Sequence, residues 1–296
     1  MMSSGLGAVL EKSFAMKIAI CFFGITRSLR HTFESISSNV LKPCRDVGDT
    51  ENFCHFFQLG DINNPRSGER GELDRNEYKL LSPDWLQLDE PDQCLENYPI
   101  DRIFHYGDYW GDDFKSLRNL LHQLHSIKTV TQAVQSHDFD LVIFARPDLL
   151  YHDSIRRPLL RVVQSRNENE VCVPDWQHWE GGLNDRFAIC KGADAIHAYG
   201  CRVDEALSYC EEYDAPLHAE KLLKFALDKM RIPISTMTTK ASRVRFDGTM
   251  KEEVFWSGSR RLERLRRLFS QYCPPMNSSQ GVELTAKASN DARALN

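Results

Sequence analysis

Two short apolar runs, Lys17 to Phe23 (KIAICFF) and Leu141 to Ala145 (LVIFA), stand out along the chain, each ended by a glycine or by charged residues. An apolar run of that length without polar alternation predicts a strand buried on both faces, the kind found inside an α/β sheet. Between them, Thr32 to Leu41 predicts a helix, Asn52 to Leu59 (NFCHFFQL) an aromatic second strand, and Arg102 to His105 a short third strand. From Ser116 to Gln135 the apolar residues Leu117, Leu120, Leu121, Leu124, Ile127, Val130 and Val134 recur at three- and four-residue steps. That is the stripe of an amphipathic helix, with Arg118, His122, His125 and Lys128 off its buried face. Strands are then expected at Val171 to Val173 and Arg186 to Cys190, and helices at Ala193 to Cys210 and Leu217 to Met230. Pro216 stands at the start of the last helix, where a missing N–H costs little. Ile232 to Ile234 and Ser242 to Phe246 add late strands. The polar stretch from Gly60 to Pro99, with Pro65, Pro83 and Pro91, reads as a functional loop or a partly ordered excursion.

This order predicts an α/β fold: a mixed, mainly parallel central sheet flanked by helices in a single domain spanning residues 16–272. A disordered extension is expected over residues 1–15 and a flexible tail, rich in Ser, Asn and Ala, over residues 273–296.

Composition narrows the partners. A net charge of −5 argues against general binding to nucleic acid, which needs a basic surface. The nine cysteines are odd in number and contain no C-x-x-C pair. Cys21, Cys54, Cys172 and Cys190 lie inside apolar segments, so a reducing, cytoplasmic setting is expected, without disulfides or a zinc knuckle. No window approaches the ~18 apolar residues of a membrane span. The basic amphipathic segment Arg260 to Phe269 (RRLERLRRLF) is expected to pack on the domain, with peripheral contact to an anionic membrane face as the alternative.

Candidate chemistry gathers beyond the strand ends, where α/β sheets bind ligands. After the Leu141 strand comes Arg146-Pro147-Asp148. Pro147 cannot donate to a sheet ladder and ends the strand, leaving Asp148 on a rigid turn as a ligand for Mg²⁺ or Mn²⁺, with Asp153 as a lesser second carboxylate. The plain alternative is an Arg146–Asp148 ion pair that closes the strand. After the first strand, Gly24 with Arg27 and Arg30 makes a phosphate site or a solvated turn; the residues of a P-loop or dinucleotide fingerprint are missing. Lys128 is a weaker phosphate candidate from the long helix, and His55, lone among aromatics, reads as a core residue.

The second notable stretch runs from Pro174 to Ala188. Trp176 and Trp179 suit the apolar face of a sugar ring, Gly181-Gly182 permits a mobile lid, and Asn184 and Asp185 lead into the next strand. Asn184 and Asp185 capping their own backbone is the alternative. Glu220, in the first turn of a helix, is explained by the helix dipole and is a secondary candidate for chemistry.

Taken together these segments resemble GT-A-type glycosyltransferases of the WavE-like group linked to polysaccharide synthesis. The resemblance rests on Gly24-x-x-Arg27, the strand with His55, Gln123-x-x-Ser126-x-Lys128, Arg146-Pro147-Asp148-Leu149, and Asn184-Asp185-Arg186-Phe187, across most of Lys17 to Gly248. It implies a GT-A-like fold, a nucleotide-sugar donor, a carbohydrate or glycoconjugate acceptor and a divalent cation. Gly24, Arg27, Arg30, Lys128 and Arg146 are then expected at the donor, and Trp176, Trp179 and Asn184 at the acceptor. Asp185 is expected to act as the base, with Glu220 second, and Asp148 to hold the metal. Such enzymes hold the cation with D-x-D, and here only the last acid matches, which puts metal dependence in question. A sulfotransferase-like enzyme and a non-catalytic carbohydrate-binding protein are the competing readings.

Overall fold

The computed structural model describes residues 16–64 and 68–255. Strand β1 (Lys17–Gly24) leads into helix α1 (Leu29–Ile36), which continues through a wider π turn, Ser37–Leu41, into the single turn α2 (Lys42–Arg45). Next come β2 (Asp49–Phe57), the hairpin of β3 (Asp61–Asn64) and β4 (Glu69–Glu72), β5 (Trp85–Asp89), α3 (Ile100–His105) and the long α4 (Lys115–Gln135). Strands β6 (Leu141–Ala145) and β7 (Leu149–Tyr151), helix α5 (Arg156–Val163), β8 (Glu170–Pro174) and β9 (Ala188–Lys191) follow. The described chain closes with α6 (Ala193–Gly200), α7 (Ala206–Tyr213), α8 (Ala219–Lys229), β10 (Ile234–Met237) and β11 (Ala241–Arg243).

The central sheet has seven strands in the order β10-β8-β9-β6-β1-β2-β5. All neighbours run parallel except β9, which is antiparallel to both β6 and β8. This is the mixed, mainly parallel sheet flanked by helices that the sequence predicts. Alternate side chains feed the two faces. Ile18, Ile20 and Phe22 of β1 join Leu141 and Ile143 of β6 in a core beside α1 and α5. Ala19, Cys21 and Phe23 join Val142 and Phe144 in another beneath α4, α6 and α8. The two apolar runs are therefore adjacent strands, with Ile18 opposite Leu141 and Phe22 opposite Ala145.

Several elements differ from expectation. Arg102 to His105 is helical: four residues cannot separate a period of 2 from one of 3.6, and Ile103 alone of α3 is buried. The stretch from Gly60 to Pro99 holds the β3–β4 hairpin and β5, an edge strand half-buried along its length, so its polar composition hid it. The helix expected from Ala193 to Cys210 breaks after Gly200, where a Cβ would lie 1.9 Å from Thr131 Oγ1. That close approach presses α6 onto α4. Eight cysteines of the described chain are free and buried. No described helix is long and apolar enough to cross a membrane. Arg260 to Phe269 and both expected terminal extensions lie outside the described residues.

Candidate active site

Pro147 ends β6 at Ala145, and its carbonyl accepts a hydrogen bond from Thr32 Oγ1 of α1. Asp148 is thereby fixed just past the strand, 4% exposed, against two arginines. Arg146 Nε donates to Oδ1 at 2.9 Å, Arg146 Nη2 to Oδ2 at 2.8 Å, and Arg27 Nη2 to Oδ2 at 3.0 Å. These guanidinium charges outweigh burial and hold the Asp148 carboxyl far below the usual carboxylate range. Asp148, expected from sequence as a metal ligand or as the partner of Arg146, takes the second of these places. Both its oxygens are taken by cations, and a divalent ion there would face two guanidinium groups. The residues present do not fit the ion, and the plain ion pair is what forms.

The reversed strand β9 explains the next group. Because β9 runs antiparallel to β6, with Phe144 opposite Ala188, its entry segment lies beside the exit of β6. Asp185 therefore meets Arg146 through Gln123 of α4. Gln123 Oε1 accepts from Arg146 Nη1 at 2.6 Å, and Gln123 Nε2 donates to Asp185 Oδ2 at 3.4 Å. Tyr199 Oη donates to the Asp185 carbonyl, and Arg202 Nη2 lies 3.7 Å from Oδ2.

Glu220 comes from the first turn of α8, with its side chain 19% exposed. Burial, then the nearby Asp185 charge, push its carboxyl up to about 8. His218 Nδ1 lies 3.4 Å from Glu220 Oε2 without hydrogen-bond geometry and has no hydrogen-bond partner among the described residues, while burial keeps its ring below the usual histidine range. The Trp179–Gly181 turn sits over the start of α8, and Leu183 N–H donates to the Glu220 carbonyl. A Cβ on Gly182 would lie 2.3 Å from the Glu220 carbonyl carbon, so only glycine allows this seating. The expected lid is thus anchored to α8 at Gly182. Tyr109, 44% exposed, packs edge-on against His218, and Trp179 is 54% exposed.

Around this group cations exceed anions. Arg186 and Arg243 share Glu253, and Arg27 and Arg245 share Glu69. Burial, then the neighbouring Arg186 and Arg146 charges, bring the Arg243 guanidinium down to about 10. Lys251 is lowered in the same way, by burial and then Arg243. A positive potential of this kind favours an anion. A small cleft with room for about one water molecule, about 10 Å³, lies beyond β1, β2 and β5 and is lined by Thr26, Phe57, Arg75, Tyr78 and Leu88 among others.

The expected residues divide. Asp148, Arg146, Arg27, Asp185 and Glu220 come together, and Gly24 turns the chain beside them with a φ of 104°. Arg30 is half exposed, donates to the Phe246 carbonyl and lies 3.6 Å from Glu77. Lys128 is paired with Asp204 and is not drawn to this cluster. Trp176 is 1% exposed, donates to the Thr239 carbonyl, and is covered by Arg186 and Phe255, so it offers no face to a sugar. Asn184 is also buried; it donates to the Trp176 carbonyl and accepts from Arg186 N–H, bracing its own loop. Asp153 accepts from Lys240 N–H and serves a turn. His55 is fully buried, between Ser126 Oγ and Asp89. Burial brings the His125 ring nearby down to about 4.

Arg243, Glu253, Tyr109 and His218 escaped prediction, and Gln123 was named in the resemblance without a role. Arg243 and Arg245 alternate in ASRVRF, a spacing that puts both on one face of a strand, and that is a usable signal. Tyr109 carried none.

No family model matches the chain, and no curated protein matches it. Among solved structures it is similar to apo mouse xyloside xylosyltransferase 1, at a TM-score of 0.41 and 10% sequence identity, over 75% of this chain and 85% of that one. A likeness so loose assigns no activity.

Proposed function

We propose that this chain is a glycosyltransferase, moving a sugar from a nucleotide-sugar donor to a hydroxyl acceptor in polysaccharide or glycan synthesis. The observation that carries the reading is the Asp185–Glu220 pair beside the guanidinium groups of Arg186 and Arg243. Each part has a task in that chemistry. Arg243 and Arg146 meet the charge that grows on the departing diphosphate as the sugar–oxygen bond breaks. Trp179, expected at the acceptor from sequence, packs on it together with Tyr109, which takes the place of the buried Trp176.

The proton of the attacking hydroxyl goes to the acid pair. A carboxyl raised to about 8 is well matched to an alcohol that becomes acidic only as its oxygen bonds to carbon. Glu220 is the better base for this reason, and Asp185 sets its proton affinity, which reverses the order expected from sequence. Arg146 and Arg27 clasp Asp148, so the cationic role falls to arginine and no metal is needed at that position.

A thermal-shift screen tests the assignment. UDP, GDP or CMP is expected to stabilise the full chain, and the matching nucleotide-sugar to be consumed with an oligosaccharide acceptor. Stabilisation by adenosine bisphosphate alone points to a sulfotransferase instead, and binding without turnover to a carbohydrate-binding protein.

A further inference from the structure

The transfer chemistry leaves a second polar cluster unused, three strands away along the same sheet edge. His55 of β2, Asp89 at the end of β5 and His125 of α4 each present one nitrogen or oxygen ligand atom, and these atoms all lie within 4.8 Å of one another. The strand register explains the first two. His55 pairs with Gln87, so Asp89 lies two residues further along the same face, toward α4. His55 Nε2 is 2.9 Å from Asp89 Oδ2.

Each of the three has a second partner that fixes its orientation. Ser126 Oγ lies 2.7 Å from His55 Nδ1, donates to the His55 carbonyl and accepts the Gly24 N–H. Tyr98 Oη lies 2.8 Å from His125 Nδ1. Gln87 Nε2 donates to Asp89 Oδ2 at 2.9 Å. Outer partners of this kind hold ligating histidines and carboxylates in register with an ion. The Asp89 side chain is one-third exposed while His55 is fully buried, so the cluster is open on one side.

We propose that His55, Asp89 and His125 form a binding site for a divalent transition-metal ion of the zinc type. The donor set decides the class. Two imidazole nitrogens and one carboxylate oxygen suit Zn²⁺, whereas Mg²⁺ and Ca²⁺ prefer all-oxygen sets. Bonds of about 2.0–2.2 Å place tetrahedral ligands ~3.3–3.5 Å apart, so the three side chains close on an ion by small adjustments. Three protein ligands leave a fourth position, on the Asp89 side, for water or a bound group. The bond from Gly24 N–H to Ser126 ties this site to the turn after β1. A bound ion therefore stiffens the base of the proposed donor site.

The test uses the untagged full chain, stripped with chelator and dialysed. Zn²⁺ and Co²⁺ are titrated by calorimetry, and the metal retained after gel filtration is counted by elemental analysis. One equivalent per chain is expected, with the visible absorption of low-coordinate cobalt. Asp89→Asn and His125→Gln, each checked for native circular dichroism, are expected to weaken binding at least roughly tenfold. No retained metal in the wild-type chain overturns the site. So does one equivalent that survives unchanged in both variants, because the ion then lies elsewhere. Neither measurement involves donor or acceptor, so the outcome is independent of the transferase assignment.

Discussion

Arg146 grips Asp148 with two parallel hydrogen bonds, Nε to Oδ1 at 2.9 Å and Nη2 to Oδ2 at 2.8 Å, across the single residue Pro147. The rigid turn that Pro147 imposes brings the fork and the carboxylate face to face. Arg27 closes on the same carboxylate from the turn after β1. The clasp therefore joins the ends of two adjacent central strands.

Replacing Arg146 leaves a buried carboxylate with one partner. Arg146→Ala is expected to cost about 3–5 kcal/mol in denaturant unfolding, and Arg146→Lys less, since one ammonium cannot fork across both oxygens. The Asp148 carboxyl is depressed, so its stabilisation is present above the ordinary carboxylate pKa and is lost as pH falls through the folded value. The wild-type advantage over Asp148→Asn should shrink steadily in acid, and an advantage that does not change with pH would contradict the ion pair.

Glu220 has the opposite sign. Its folded pKa is raised from 4.5 to about 8, so the proton stabilises the fold fully below 4.5 and that benefit is lost as pH rises through about 8. Glu220→Gln is expected to flatten this decline, giving a higher melting temperature than wild type at pH 8. The same change should lower kcat by roughly 10²–10⁴ as the base is lost. In the wild-type enzyme, the rate is expected to rise with pH and level off above about 8.

Arg243→Gln separates binding from folding. It relieves the crowding of Arg243 against Arg186 and Arg146, so stability should hold or improve. Nucleotide-diphosphate affinity should fall about tenfold, which is ~1.4 kcal/mol, with a weaker dependence on salt. Isothermal titration at two ionic strengths reads both.

Tyr109→Ala and Trp179→Ala remove exposed rings at the mouth of the site. Each is expected to raise the acceptor KM several-fold with little change in kcat, the pattern of lost binding common to ground and transition states. Trp176→Phe, by contrast, leaves the Thr239 carbonyl without its buried donor and should lower stability by about 1–3 kcal/mol.

Gly182→Ala drives a methyl group into the backbone at Glu220. Overpacking of this kind costs about 1–3 kcal/mol, and the displaced first turn of α8 should also depress kcat. At Gly181 the φ of 77° also disfavours alanine, but a Cβ there meets nothing, so Gly181→Ala should lose stability with less effect on turnover. Melting temperature and kcat measured together distinguish the two.

The apolar runs by themselves determined β1 and β6, their burial on both faces, and the helix across α4, because a period of side chains is a local property of the chain. Pro147 likewise announced the end of a strand and the rigid turn that holds Asp148. Asp185 and Glu220 were visible as residues but not as neighbours, since thirty-five positions of chain separate them. Their meeting depends on β9 running against β6 and on Gly182 letting the loop press onto α8. Tertiary structure alone also decided the fate of the two tryptophans. Trp176 and Trp179 stand three residues apart in one polar stretch, yet one lies under Arg186 and Phe255 and the other faces solvent. Burial is set by what distant segments cover, and ion pairing by which charges those segments bring within reach. For the same reason the clasp on Asp148 was only half legible: its local motif offered Arg146 as a partner, and Arg27 arrived from another strand end.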